Sequence, residues 1–344
     1  MIQQSLKLHH SRLKKNLFRT ATGTILIFVL MLNLLGCDHQ TNSPTTTGHP
    51  ETKSKLTVVT TIFPLADITR NLGGPYLHVL SLLPPGSNPH TYEPTPGQMK
   101  EVAQAQLIIR VGAGLDNWVD KLAASSHKEA RSLEVSEGVP LLNPESESTI
   151  EHEPTAGHDD PNDASAHHHE GADPHIWLDP VLVRDHIAPA ITNTLIEIDP
   201  IHEADYRSYL VSYQAELTKL HQEYEKTLAP ITHRKYISFH SSWCYLAQRY
   251  HLNEVASIEP YPGKEPSAKW VKEVVDLAKE HHIKVIFAEP QFNPKTAEVI
   301  SREFGGQVML LDPLGGDQVE QRATYLDLMR YNLTVLQNGL NKGD

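Results

Sequence analysis

Two rhythms of apolar and polar positions run along this chain. Residues 56–61 (Leu-Thr-Val-Val-Thr-Thr), 77–83 and 107–111 are short, continuous and apolar, the pattern of strands buried on both faces. Helix-length stretches lie between them. After Pro230 the rhythm restarts, with strand-like runs at 236–239, 254–258, 285–287 and 308–311 and a helical stretch at 268–281. Strands alternating with helices predict βαβ units and mainly parallel sheets. The two halves share that architecture but not their residues. Between them, Tyr206, Leu210, Tyr213, Leu217, Leu220, Tyr224 and Leu228 recur every three or four positions, with charges on the opposite side. That spacing predicts one amphipathic helix over 201–228. At ~1.5 Å per residue it is about 39 Å long, enough to join two lobes as a stiff connector.

The start of the chain has a different pattern. Residues 1–20 carry Lys7, Arg12, Lys14, Lys15 and Arg19 and no acid, and residues 21–36 are almost wholly apolar. A basic stretch before a short apolar one reads as a secretory signal, since a spanning helix needs about 20 apolar residues. The ending Leu34-Leu35-Gly36-Cys37 resembles a bacterial lipobox, which implies lipidation of Cys37 as the mature N-terminus. The expected organisation is a signal peptide (1–36), a flexible tether (37–54), an N-terminal α/β lobe (55–200), the connecting helix (201–229) and a C-terminal α/β lobe (230–344).

Charge narrows the classes of partner. Removing residues 1–36 takes five of the 30 Lys and Arg and none of the 42 Asp and Glu, leaving a net charge of −17. That balance disfavours nucleic acid and raises the local concentration of cations. Cys37 and Cys244 are the two cysteines. With Cys37 lipidated, Cys244 has no disulfide partner, and buried packing is its expected role.

The candidate chemistry is metal chemistry. A polar stretch within 151–172 holds His152, His158, His167, His168 and His169 among acids, Gly and Pro, and reads as a solvated loop that collects divalent cations weakly. It leads into Asp173-Pro174-His175-Ile176-Trp177-Leu178-Asp179-Pro180, where two Asp-Pro pairs fix the direction of one imidazole. His90 follows the strand ending at Leu83, His240 follows the run 236–239, and Asp312 follows 308–311. In parallel α/β lobes ligands sit beyond the carboxyl ends of strands, and with two lobes they sit between them. Three imidazoles and a carboxylate form a complete tetrahedral set for Zn²⁺.

Four motifs carry a family resemblance over the whole chain after residue 55: Pro89-His90-Thr91-Tyr92-Glu93-Pro94-Thr95-Pro96, the Asp-Pro-His stretch, Phe239-His240-Ser241-Ser242-Trp243 and Asp312-Pro313-Leu314. With Glu265-Pro266-Ser267 and Glu289-Pro290-Gln291-Phe292, they resemble the metal-binding segments of zinc/manganese ABC transporter substrate-binding proteins. The resemblance implies two α/β lobes joined by a long rigid helix, with one divalent ion in the cleft held by His90, His175, His240 and Asp312. It also implies a monomeric, lipid-anchored, extracytoplasmic receptor that delivers Zn²⁺ to an ABC permease and is not an enzyme. His rather than Glu at position 240 resembles the zinc branch, in keeping with the preference of imidazole for Zn²⁺ and of carboxylate for Mn²⁺. Some zinc members replace the Asp312 ligand by water or another acid, and Glu93 and Glu259 are acids expected near the site.

The alternatives are a manganese or other divalent-metal receptor of the same family and a secreted zinc hydrolase with Glu259 or Glu289 as general base. The hydrolase reading lacks a His-Glu-x-x-His helix and a Gly-x-Ser-x-Gly elbow.

Overall fold

The computed structural model describes residues 55–124, 130–143, 171–260 and 263–341. Among these residues eight strands form two four-stranded sheets, and every strand pairing is parallel. The N-terminal sheet has the order β2-β1-β3-β4, from β1 (Leu56–Thr60), β2 (Leu77–Ser81), β3 (Leu107–Arg110) and β4 (Arg131–Glu134). The C-terminal sheet repeats it as β6-β5-β7-β8, from β5 (Lys235–His240), β6 (Asn253–Glu259), β7 (Val285–Ala288) and β8 (Gln307–Leu310). The expected α/β class and parallel pairing are thus present. The strand that the apolar rhythm did not reveal is β4. It is an edge strand whose Arg131 and Ser132 are exposed, so it offers no buried run to read.

Residue alternation assigns each sheet face to a different core. In β1, Leu56 and Val58 face one core and Val59 another; in β7, Val285 and Phe287 oppose Ile286 and Ala288. The inner faces of both sheets share one continuous core. The outer face of the N-terminal sheet is covered by α2 (Pro96–Val102) and α3 (Trp118–Ala124), through Val102, Val119 and Leu122. The outer face of the C-terminal sheet is covered by α8 (Ala268–Glu280) and α9 (Lys295–Phe304).

The long connector α6 spans Glu203–Leu228 and buries Tyr206, Tyr213, Leu217, Leu220, Tyr224 and Leu228 of the stripe read from the sequence, while Leu210 is half-buried. Before it, α4 (Pro180–Leu182) passes through a π-helical turn (Val183–Ile187) into α5 (Ala188–Ile198). Pro189 has no N–H for a regular i→i−4 bond there. The C-terminal helix α10 (Tyr325–Leu340) closes the molecule back on the first lobe. The Tyr325 N–H donates to Asp67 Oδ2 at the first helix, α1 (Phe63–Gly73), and the Tyr224 hydroxyl donates to the Met329 carbonyl. Asp67 is pushed up by burial, against the pull of that N–H.

Candidate metal centre

Three imidazoles meet where both sheets present their strand ends. His90 sits in the loop after β2, with its N–H donating to Asn88 Oδ1 at 2.9 Å. His175 opens a 3₁₀ turn (Ile176–Leu178) and is 3 % exposed. Its backbone N–H and its ring Nδ1 both reach Asp173 Oδ1, at 2.9 and 2.7 Å. A carboxylate only accepts, so Nδ1 carries a proton, and the neutral form of this ring offers its lone pair at Nε2. His240 is the last residue of β5 rather than the one after it, and its Nδ1 lies 3.5 Å from Glu289 Oε1, just past β7. The same carboxylate oxygen accepts from the Ser242 hydroxyl at 2.8 Å. Burial would pull the His240 imidazolium down, but the Glu289 carboxylate beside it outweighs this and leaves its pKa raised.

The three rings cluster closely, and one pair of them has the spacing of a coordination sphere. One ligand atom from each of His90, His175 and His240 lies within 4.8 Å of the others, and His90 Nε2 is 3.3 Å from His175 Nε2. Zn–N bonds of about 2.0–2.1 Å at tetrahedral angles separate neighbouring nitrogens by roughly 3.3–3.4 Å. Two lone-pair nitrogens at that distance have no mutual attraction unless a proton or a cation lies between them. The rings line a cavity of about 10 Å³, walled on its apolar side by Trp177, Phe292, Pro313 and Leu314.

His175 is fastened mostly by the opposite lobe. The Trp177 indole N–H donates to the Pro313 carbonyl at 2.8 Å, the Tyr325 hydroxyl to the Trp177 carbonyl, and the Tyr245 hydroxyl to the Asp173 carbonyl. The Asp-Pro stretch precedes α6 in sequence but is locked to C-terminal elements in space.

Asp312, expected as the fourth ligand, does not join this group among the described residues. Its Oδ2 is held by Arg322 Nη1 at 2.7 Å, and its Oδ1 accepts the N–H groups of Leu314 and Gly315. Glu93 is exposed. Glu259 lies opposite His240 in the β5–β6 register and is raised by burial, but it is not in the group either. Cys244 is free and packs with its Sγ 3.4 Å from Ser241 Oγ, with burial pushing its thiol up. Cys37 and the loop histidines His152, His158, His167, His168 and His169 lie outside the described residues. Sequence reasoning did not identify Asp173 as the hydrogen-bond partner of His175 or Glu289 as the charged neighbour of His240. The Asp-x-His spacing could have flagged Asp173; Glu289 is 49 residues from His240 and gives no such signal.

A two-lobed parallel α/β scaffold with an imidazole cluster between its sheets defines a metal-binding protein of the substrate-receptor class. Residues 58–339 match the family described as zinc-uptake complex component A, periplasmic (ZnuA), and the chain belongs to that family. It is 29 % identical to the high-affinity zinc uptake system protein ZnuA of Bacillus subtilis, over 94 % of this chain and 99 % of that one. A crystal structure of ZnuA superposes with a TM-score of 0.69 at 31 % identity, covering 82 % of this chain and 98 % of the other. A ZnuA deletion mutant with zinc bound also gives 0.69 at 31 % identity, covering 83 % and 98 %. Among the described residues no helix is long and apolar enough to cross a membrane.

Proposed function

We propose that the chain is an extracytoplasmic receptor that binds Zn²⁺ tightly through His90, His175 and His240 and delivers it to an ABC permease for import. The observation that carries the reading is the cluster itself: three imidazoles within 4.8 Å, two of them backed by the buried carboxylates Asp173 and Glu289. Imidazole donors suit Zn²⁺ better than Mn²⁺, and second-sphere carboxylates fix the ring tautomers that coordination requires. Membership of the zinc-uptake family supports the same cargo. Lipidation at Cys37 tethers the receptor as a monomer on the outer side of the cell membrane, and the loop histidines (152, 158, 167, 168 and 169) add weaker zinc sites. The role is capture and transfer, without catalysis.

Calorimetric titration of residues 38–344 with Zn²⁺ and with Mn²⁺, repeated for His240→Ala, tests this reading. One tight zinc equivalent that disappears in the variant is expected. Tight manganese binding that is indifferent to the substitution would overturn both the ligands and the cargo.

A further inference from the structure

Three imidazoles leave a tetrahedral cation one position short. Asp312, the carboxylate that the chain order offers, is already engaged. Two backbone N–H groups at 3.0 Å hold its Oδ1, and the Arg322 guanidinium holds its Oδ2 at 2.7 Å, with the Asp312 side chain 4 % exposed. The loop is shaped for that grip. Gly315 has φ +65°, and a Cβ there would lie 2.7 Å from the Arg322 carbonyl oxygen. A glycine therefore lets the chain fold back and bring the guanidinium onto the carboxylate. Turning Asp312 toward a cation would break a charge-assisted pair and strand two buried donors.

Gln291 lies between this pair and the imidazoles. Its Nε2 reaches Asp312 Oδ1 at 3.5 Å, and its Oε1 is buried with no hydrogen-bond partner. The residue lines the same cavity as His90, His175 and His240. An ionised carboxylate only accepts, so the amide must turn its nitrogen to Asp312 and its oxygen elsewhere. A cation at about 2.0–2.1 Å from each imidazole nitrogen is closer than a water could come. The cavity that the three rings share with Gln291 is about 10 Å³, room for a single water.

We propose that Gln291 is a positioning residue for the fourth site. Its Oε1 accepts a hydrogen bond from a water on the bound cation, and the Asp312–Arg322 pair orients the amide instead of ligating. The inner sphere then carries no anionic protein ligand, which favours Zn²⁺ over cations that demand carboxylate oxygen.

This inference rests on the three-imidazole site, and the test separates the two. Gln291→Leu keeps the bulk and removes the acceptor. Zinc affinity, measured by competition with a chromophoric chelator, should fall about 10-fold or more. The d–d absorption of the Co²⁺-loaded variant should shift, while the metal-free protein should melt as the parent does. Asp312→Asn should lose less affinity than Gln291→Leu. A Gln291→Leu protein with parental zinc affinity and an unchanged cobalt spectrum overturns the proposal, whether or not Asp312→Asn folds; a larger loss in Asp312→Asn does so too. His240→Ala is the control. Tight zinc binding in that variant would bring down the three-imidazole site itself. Loss there beside full retention in Gln291→Leu would bring down only the role of Gln291.

Discussion

The N-terminal sheet runs β2-β1-β3-β4 and the C-terminal sheet β6-β5-β7-β8, one strand order used twice, yet the two faces of each sheet live in different surroundings. The outer faces have private cores, Val102, Val119 and Leu122 over the first sheet and Val274, Ala297 and Ile300 over the second. The inner faces have no private core. Leu65 of α1, Leu217 of α6, Phe287 of β7 and Leu336 of α10 belong to one apolar mass. The lobes repeat a topology but are not independent folding units, because neither could bury its inner face alone. The histidine cluster follows the same division. His90 comes from the first lobe and His240 from the second, and His175 lies on a segment that both hold.

The strongest way to break this comparison is at the site. His90→Ala and His240→Ala should each cost more than the roughly 100-fold that losing an outer-sphere partner costs. Titration calorimetry showing that one substitution is harmless would mean that the site belongs to a single lobe.

The shared core predicts the next effect in size. Leu217→Ala removes a fully buried side chain and should destabilise by about 2–5 kcal/mol. The loss should appear as one cooperative transition in scanning calorimetry; two separated transitions would show that the lobes melt independently. The same core, crossed by α6 and α10, also predicts little change of scattering profile when zinc binds.

Two acids held above their ordinary range sharpen the contrast. Asp116 in the first lobe is raised by burial, but it accepts from Thr61 and from the N–H groups of Val111 and Gly112. Glu254 in the second has an Oε2 with no partner, and burial pushes it up to about 7, against the pull of Ser241 and Ser238. A carboxyl whose folded pKa exceeds its unfolded one binds more protons when folded. Stability is therefore greatest below the ordinary Glu range and falls as pH rises toward about 7. Glu254→Gln should remove that slope, gaining on the order of 2 kcal/mol over the parent at pH of about 8 and little at pH of about 4.5. Urea unfolding of the metal-free protein at both pH values checks it; an equal change at both would refute the assignment.

The smallest effect is at the rim. Arg70 of α1 bonds Asp317 beyond β8 at 2.6 Å, with both side chains partly exposed. Arg70→Ala should cost no more than about 1 kcal/mol in chemical denaturation. A loss of several would mean that this exposed bridge, rather than the buried core, ties the lobes.

Much of this was legible along the chain. Seven of the eight described strands and the stripe of α6 are local patterns, clearest in the central strands β1, β3, β5 and β7, because a strand buried on both faces has nowhere to place polar residues. Edge strand β4 was not legible, since Arg131 and Ser132 face solvent. The three histidines stood out through their Pro neighbours and their positions at strand ends. Asp312 stood out by the same logic, but as the ligand open to replacement by water or another acid; in the fold Arg322, ten residues on, holds its carboxylate.

The sequence by itself determined the alternation of strand and helix, the connector and the placement of histidines at strand ends, all of which depend on residue type and short-range spacing. Only the tertiary structure decided which carboxylates lie against those imidazoles, which amide oxygen is buried without a partner beside them, and that the two inner faces share a core. Those outcomes depend on atoms brought within a few ångströms by residues tens to hundreds of positions apart. No local pattern encodes such a distance.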